Sequence, residues 1–383
     1  MRRIILFGLV LSLTLPFLAK ADTSSNLDIG ERKIVTFKDQ ASQEDVDRVI
    51  KEAGAVEVEE LDDNEDVTAV VANDQEVKRL KDSGLVKDVS DDIQLEIQRS
   101  SRIRYPQEVE WNMDQIEAPL AWREGNKGQG IKVAIIDSGV DIDHSDLAPA
   151  VKAGINTIRS SRDYDDDNGH GTHVAGIIAA RDNLVGVVGV APEADLYIAK
   201  ALDRRGRGYL SDIIEAIDWA ISEHVDVINL SLGTSVDLPP LEDAVDRANA
   251  AGVMIVAAAG NSGGAISYPG AYNSVIAVGM VDDSNEVHRR SSRGRELSVV
   301  APGVRVRSIY KNDRYRTASG TSMASPHVAG AIALYLNSPE CTSGCNWRQV
   351  KSKLQSTATD LGPTGRDNES GYGLINVKKL LSL

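Results

Sequence analysis

Buried strand runs that alternate with helical patterns constrain this chain more than any other feature. Val133 to Asp137, Asp195 to Lys200, Val225 to Leu230 and Val253 to Ala258 read as short buried strands, and His170 to Ala180, Ser211 to Glu223 and Leu241 to Ala251 read as the helices between them. Strands that are apolar on both faces need both faces covered, so the pattern predicts an α/β fold, a parallel sheet under helices. Such sheets place their ligands beyond the carboxyl ends of the strands. The polar residues closing these runs are therefore candidates for chemistry. Asp137 closes the first and Asn261 follows the last.

A further stretch, Gly320-Thr321-Ser322-Met323-Ala324-Ser325-Pro326-His327-Val328-Ala329-Gly330, puts a serine at a helix mouth. The alanine-rich residues after it read as a buried helix, so Ser322 faces the end rich in unpaired N–H groups. A serine hydroxyl is a poor nucleophile alone; a neighbouring base would activate it, and local amides would hold the charge on an attacked carbonyl. The base is sought in Asn168-Gly169-His170-Gly171-Thr172-His173, where glycines on both sides of His170 permit close approach by a second segment. Asn261 is placed to donate to an oxyanion. Taken singly, Asp137 reads equally as a strand-end cap and Ser322 as a helix N-cap; the four motifs together favour chemistry. His173 and His327 are assigned to packing.

The segments around Asp137, His170, Asn261 and Ser322 together resemble the subtilisin-like serine proteases, the subtilase family, and the order Asp, His, Ser is the order of subtilisin itself. Each motif matches over about ten residues, which makes chance agreement of all four remote. The resemblance runs from about Gln107 to the C-terminal end. It implies a serine endopeptidase in which His170 takes the Ser322 proton, Asp137 orients His170, and Asn261 with the Ser322 amide holds the oxyanion. It further implies that Ser231, Leu232 and Gly233 form one substrate-pairing strand and Gly206, Arg207 and Gly208 the other. Ala258 and Gly260 would wall a roomy primary pocket, with Leu210, Ile213 and Leu232 at a more distant apolar subsite. Protein and peptide substrates with large apolar residues would be favoured, with broad specificity. The alternatives are a processing protease selective for basic sites and a catalytically inactive peptide-binding module.

The family's calcium site maps onto Arg181, Asn183, Val185 and Val187, with Gln107 and Asp146 as further ligands, an all-oxygen set suited to that hard cation. The acidic cluster Asp163, Asp165, Asp166 and Asp167 reads first as a solvated loop, with selectivity for basic residues or calcium binding as alternatives.

Before the resembling region, Met1-Arg2-Arg3, an apolar run and Ala19-Lys20-Ala21 have the three parts of a secretory signal peptide, so residues 1–21 are expected to be removed and the protein secreted, with no stable membrane anchor. Lys33 to Phe37, Ser42 to Gly54, Val67 to Val71, Asp74 to Gly84 and Val86 to Val89 read as strand, helix, strand, helix, strand, a small α+β ferredoxin-like unit. This unit, residues 22–105, resembles the propeptide that subtilases use as folding helper and inhibitor, and 106–383 the peptidase domain of a monomer. Pro106 makes that junction awkward, since proline after a scissile bond lacks the N–H and restricts the backbone on both sides. From Asp22 to Tyr105 there are about 22 acidic and about 12 basic residues, roughly −10 of the chain's net −15. That acidity excludes nucleic acid as a partner. Cys341 and Cys345, the two cysteines, are four residues apart, where secretion permits a disulfide and no companion ligand supports a metal site.

Overall fold

In the computed structural model, the residues described are 31–38, 41–60, 67–92, 94–97, 111–183, 186–341 and 344–383. The expected signal peptide, the Tyr105–Pro106 junction, Gln107 and Val185 lie outside them.

The N-terminal unit runs β1 (Glu31–Phe37), α1 (Gln43–Ala53), β2 (Val56–Glu60), β3 (Val67–Ala72), α2 (Asp74–Asp82) and β4 (Val86–Asp91). Its antiparallel sheet has the order β2-β3-β1-β4 with the two helices packed on it, the ferredoxin-like arrangement expected. Local chemistry sets the helix ends. Ser42 and Asp45 form a reciprocal capping box, Asn73 and Glu76 another, and Gly54 closes α1 in the left-handed conformation that glycine adopts without a Cβ penalty. The acidic strand β2 went unread in the sequence because glutamates occupy most of it and Val56 and Val58 are exposed. The next segment, β5 (Gln94–Ile97), leaves this sheet altogether.

The larger unit contains α3 (Trp111–Gln115), α4 (Ala118–Arg123), β6 (Lys132–Asp137), β7 (Val151–Asn156), α5 (His170–Ala179), β8 (Asp195–Lys200), β9 (Arg207–Tyr209), α6 (Leu210–Ser222), β10 (Val227–Leu230), β11 (Leu232–Gly233), α7 (Pro239–Ala250) and β12 (Met254–Ala258). It continues through β13 (Ile276–Val281), β14 (Leu297–Pro302), the hairpin β15 (Val306–Tyr310) and β16 (Arg314–Ala318), α8 (Thr321–Leu336), α9 (Trp347–Thr357) and α10 (Val377–Leu380). Seven strands form one parallel sheet in the order β14-β13-β12-β10-β6-β8-β7. The predicted α/β class is thus observed, and β7, β13 and β14 extend the sheet beyond the strands read from sequence.

Two apolar layers cover that sheet. On one side α5 and α8 pack with Ile135, Val174, Ile178, Val256, Val299 and Ile332; on the other α6 and α7 pack with Ile136, Ile214, Ile228, Leu241 and Ile255. Alternate residues of β6, β8, β10 and β12 serve opposite layers, which is why these strands read as continuous apolar runs. From β6 the chain visits β7 and β8 on one flank and then crosses to β10 on the other, so the direction of strand order reverses at β6 and β10. A crevice opens outside the carboxyl ends of strands at such a reversal. Asp137 and Ser231 stand there. Cys341 and Cys345 are joined as a disulfide. No helix among the described residues is long and apolar enough to cross a membrane.

Candidate active site

Asp137 is the last residue of β6 and is buried. The Nδ1–H of His170, first residue of α5, donates to both of its carboxylate oxygens, at 2.8 and 2.9 Å, and the Ser138 amide donates to Oδ1 at 2.7 Å. Because a carboxylate accepts, the imidazole proton resides on Nδ1 and Nε2 carries the lone pair. Nε2 is buried and makes no hydrogen bond among the described residues.

Glycine makes that approach possible. A Cβ on Gly171 would lie 2.1 Å from the Gly139 carbonyl oxygen and 3.2 Å from Asp137 Cβ, and one on Gly169 would strike the Tyr310 ring. The glycines beside His170, read from sequence as allowing contact with another segment, face Gly139 and Asp137 on one side and Tyr310 on the other.

Asp166 holds the same corner and corrects the sequence reading of its cluster. It is buried, not solvated: its Oδ1 accepts from the amides of Asn168 and Gly169 and from Ser138 Oγ, and its Oδ2 from the amide and hydroxyl of Thr172. Burial pushes its carboxyl above the ordinary value, against the pull of those donors. Asp167 pairs with Lys200 at 2.7 Å, whose ammonium also donates to the Ser138 carbonyl. Asp163 and Asp165 remain exposed. Alternating charge and burial within one acidic run carries no hydrophobic signal, so the role of Asp166 was not legible.

Ser322 sits in the first turn of α8, buried, with its hydroxyl donating to the Ser231 carbonyl at 3.1 Å. Ser231 returns the contact, its Oγ donating to the Ser322 carbonyl at 3.0 Å while Asn229 Nδ2 donates to that Oγ. Asn261 Oδ1 accepts from the amide and the hydroxyl of Thr321, at 2.8 and 3.1 Å, which locks the side chain so that its amide nitrogen is the end able to donate to an oxyanion. His173 and His327 are packing residues, as expected. His173 Nε2 donates to the Arg316 carbonyl; His327 Nδ1 donates to the Met323 carbonyl and its Nε2 accepts from Asn112. Burial holds both neutral, with pKa values pushed down to about 3 and about 4.

The two segments expected to pair with substrate flank a third strand. β5 lies between β11 and β9, antiparallel to both: Ile97 pairs with Leu232, Glu96 with Gly233 and with Arg207, Leu95 with Gly208 and Gln94 with Tyr209. Gly208 backs onto the Ala201 carbonyl, which a Cβ would meet at 2.0 Å. Gly206 stands in the turn before β9, so the strand starts one residue later than expected and takes in Tyr209. Ala258 and Gly260 are buried at the end of β12, and Leu210, Ile213 and Leu232 gather in one core layer. Just before β5, Asp92 caps α6: its carboxylate accepts from the Ser211 amide and hydroxyl, at 3.1 and 3.0 Å. Arg32 pairs with Asp92 at 2.6 Å, donates to Ser211 Oγ and lies over the Tyr209 ring.

Around the expected calcium position, Asp146 is buried; its Oδ2 accepts from the Val187 amide at 3.0 Å, and its Oδ1 makes no hydrogen bond among the described residues. Burial raises its carboxyl above the ordinary value, while Asn183 bonds to it. The Arg181 amide donates to the Asp146 carbonyl. A buried carboxylate oxygen without a hydrogen bond suits a hard cation, and of the expected ligands Arg181, Asn183 and Val187 all contact Asp146. Among the described residues no group of three or more His, Cys, Asp and Glu side chains converges on a metal position.

Comparison with known proteins decides the family. The model of the subtilase family, a peptidase family, matches residues 128–373. The chain belongs to the subtilase family. Within it, the chain is 40% identical to subtilisin E of Bacillus subtilis (strain 168) over 388 residues, covering 98% of this chain and 97% of that protein. It is 46% identical to subtilisin DY of Bacillus licheniformis over 277 residues, 71% of this chain and 98% of that protein. It is 37% identical to the minor extracellular protease Epr of Bacillus subtilis (strain 168) over 387 residues, 97% of this chain but 58% of that longer protein. This subtilase is therefore a serine endopeptidase, a hydrolase acting on protein substrates.

Proposed function

We propose that this subtilase hydrolyses peptide bonds through Asp137, His170 and Ser322 by way of an acyl-enzyme. His170 Nε2 takes the Ser322 proton as Oγ adds to the carbonyl carbon; Asp137 keeps Nδ1 protonated and supports the imidazolium; Asn261 Nδ2 and the Ser322 amide hold the oxyanion. His170 then protonates the leaving amine, and water hydrolyses the ester by the same route. The observation that carries this reading is the two-oxygen contact of Asp137 with His170 at a strand end, beside a serine bonded to the substrate-pairing strand. For attack the hydroxyl turns from the Ser231 carbonyl to Nε2, a rearrangement common when apo contacts tighten on substrate binding.

An extended peptide enters as a strand between β9 and β11, so main-chain hydrogen bonds supply affinity and pockets supply preference. With Ala258 and Gly260 lining the primary pocket and Leu210, Ile213 and Leu232 further along, specificity is broad and large apolar residues are favoured. Residues 1–21 direct secretion. The enzyme is made as a monomeric proenzyme whose N-terminal unit assists folding and inhibits by laying β5 in the substrate position. Asp146, Asn183 and the loop carbonyls of Arg181, Val185 and Val187, with Gln107, would hold calcium, which would neutralise the buried carboxylate and stiffen the loop.

Treatment with a serine-directed fluorophosphonate, followed by peptide mapping, tests this. Label on Ser322, lost in Ser322→Ala together with hydrolysis of unfolded casein, is expected. Hydrolysis that survives Ser322→Ala overturns the assignment.

A further inference from the structure

Resting on the reading of Ser322 as nucleophile, we propose that the proenzyme cleaves itself between Gln98 and Arg99, and that β5 is the non-primed half of this first substrate. The register leads to that bond. Ile97 pairs with Leu232 and Glu96 with Gly233 in antiparallel sense. Continued by one residue, this register would set Gln98 against Ser231, whose carbonyl accepts the Ser322 hydroxyl at 3.1 Å. A strand in this register therefore offers the carbonyl of the residue after Ile97 to the nucleophile. The residues before it occupy the positions of a bound substrate: Leu95 opposite Gly208 and Gln94 opposite Tyr209.

The register is anchored from outside the cleft. Asp92, two residues before β5, is buried against the first turn of α6 and held there by the Ser211 amide, the Ser211 hydroxyl and Arg32. Slippage by one residue would strip both pairs of ladder contacts and pull Asp92 off that cap. Tyr105, the junction suggested by similarity, is eight residues beyond Ile97 and so is not the residue that this register carries to Ser322. Cleavage at Gln98 also removes the difficulty posed by Pro106, because the residue after the scissile bond becomes Arg99, which has an N–H and no ring.

In the step itself, Ser322 Oγ bonds to the Gln98 carbonyl carbon while its proton passes to His170 Nε2. The C–N bond to Arg99 breaks as that proton moves to the departing Arg99 amine. Water then releases the Gln98 carboxylate and restores the serine.

The test is the C-terminus of the released N-terminal fragment, which trimming of the mature enzyme cannot alter. The unaltered chain, Ser322→Ala and Arg99→Pro are expressed in full, sampled early and mapped by mass spectrometry, with casein hydrolysis measured alongside. A fragment ending at Gln98 in the unaltered chain, absent from Ser322→Ala and appearing about 100-fold more slowly in Arg99→Pro, is expected, since proline distorts the bound bond. A first fragment ending anywhere else, Tyr105 included, overturns the proposal and leaves the endopeptidase reading standing. An intact chain that hydrolyses casein overturns it equally. An intact chain that hydrolyses nothing, or a Gln98 end in Ser322→Ala, refutes the assignment of Ser322 on which it rests. Should Arg99→Pro fail to fold, the fragment map of the unaltered chain decides alone.

Discussion

Replacing Gly171 by alanine separates positioning from packing at the active site. The added Cβ would stand 2.1 Å from the Gly139 carbonyl oxygen, a backbone atom that no rotamer change can move. Carbon and oxygen settle at about 3.3 Å, so the start of α5 and the Gly139 turn must part by roughly 1 Å. If that displacement falls wholly between His170 and Asp137, their 2.8 Å contact opens to about 3.8 Å, beyond hydrogen-bonding range. A misplacement of this size costs about 100-fold in rate, and loss of imidazole orientation costs more, towards the 10⁴-fold known when a triad aspartate is neutralised. Overpacking should also destabilise by about 1–3 kcal/mol, a loss of several degrees in melting temperature. The assay compares kcat/KM on a chromogenic peptide and the melting temperature of Gly171→Ala with those of Gly264→Ala, whose nearest atom is a serine hydroxyl at 3.3 Å. The control should match the unaltered enzyme in both. A Gly171→Ala enzyme with full kcat/KM would refute the view that this glycine sets the Asp137 to His170 distance.

Acid should destabilise the fold before it protonates the carboxylates. His173 and His327 have folded-state pKa values of about 3 and about 4 against an ordinary value near 6.5, so the unfolded chain takes up protons that the folded chain refuses. Their contribution is complete above pH 6.5 and is lost as pH falls below it, about 1.4 kcal/mol per pH unit for each, or about 4 kcal/mol for both between pH 7 and 5. Urea unfolding of the Ser322→Ala chain from pH 7 to 5 measures it, and a flat profile would show that one or both imidazoles are charged when folded. Asp146→Ala should lower the melting temperature in calcium and abolish the rise that calcium gives the unaltered protein; an unchanged calcium response would place the ion elsewhere.

The strands β6, β10 and β12 were legible because a strand buried on both faces must be apolar throughout, and α1 because its cap is written in Ser42 and Asp45. The contact of Asp137 with His170 was legible because the glycines beside His170 and the strand end at Asp137 are themselves demanded by close approach. Asp166 was not, since its burial comes from donors on three separate turns of chain, and β2 was not, since Val56, Glu57 and Val58 are all exposed. The sequence by itself determined the α/β sheet and offered the polar residues at its strand ends as candidates for acyl transfer. Only the tertiary structure decided that Ser322 lies against Ser231 and that β5 lies between β9 and β11. It alone also decided the register of that strand, for pairing register depends on contacts such as Asp92 with Ser211, made across 119 residues of chain, that no local pattern encodes.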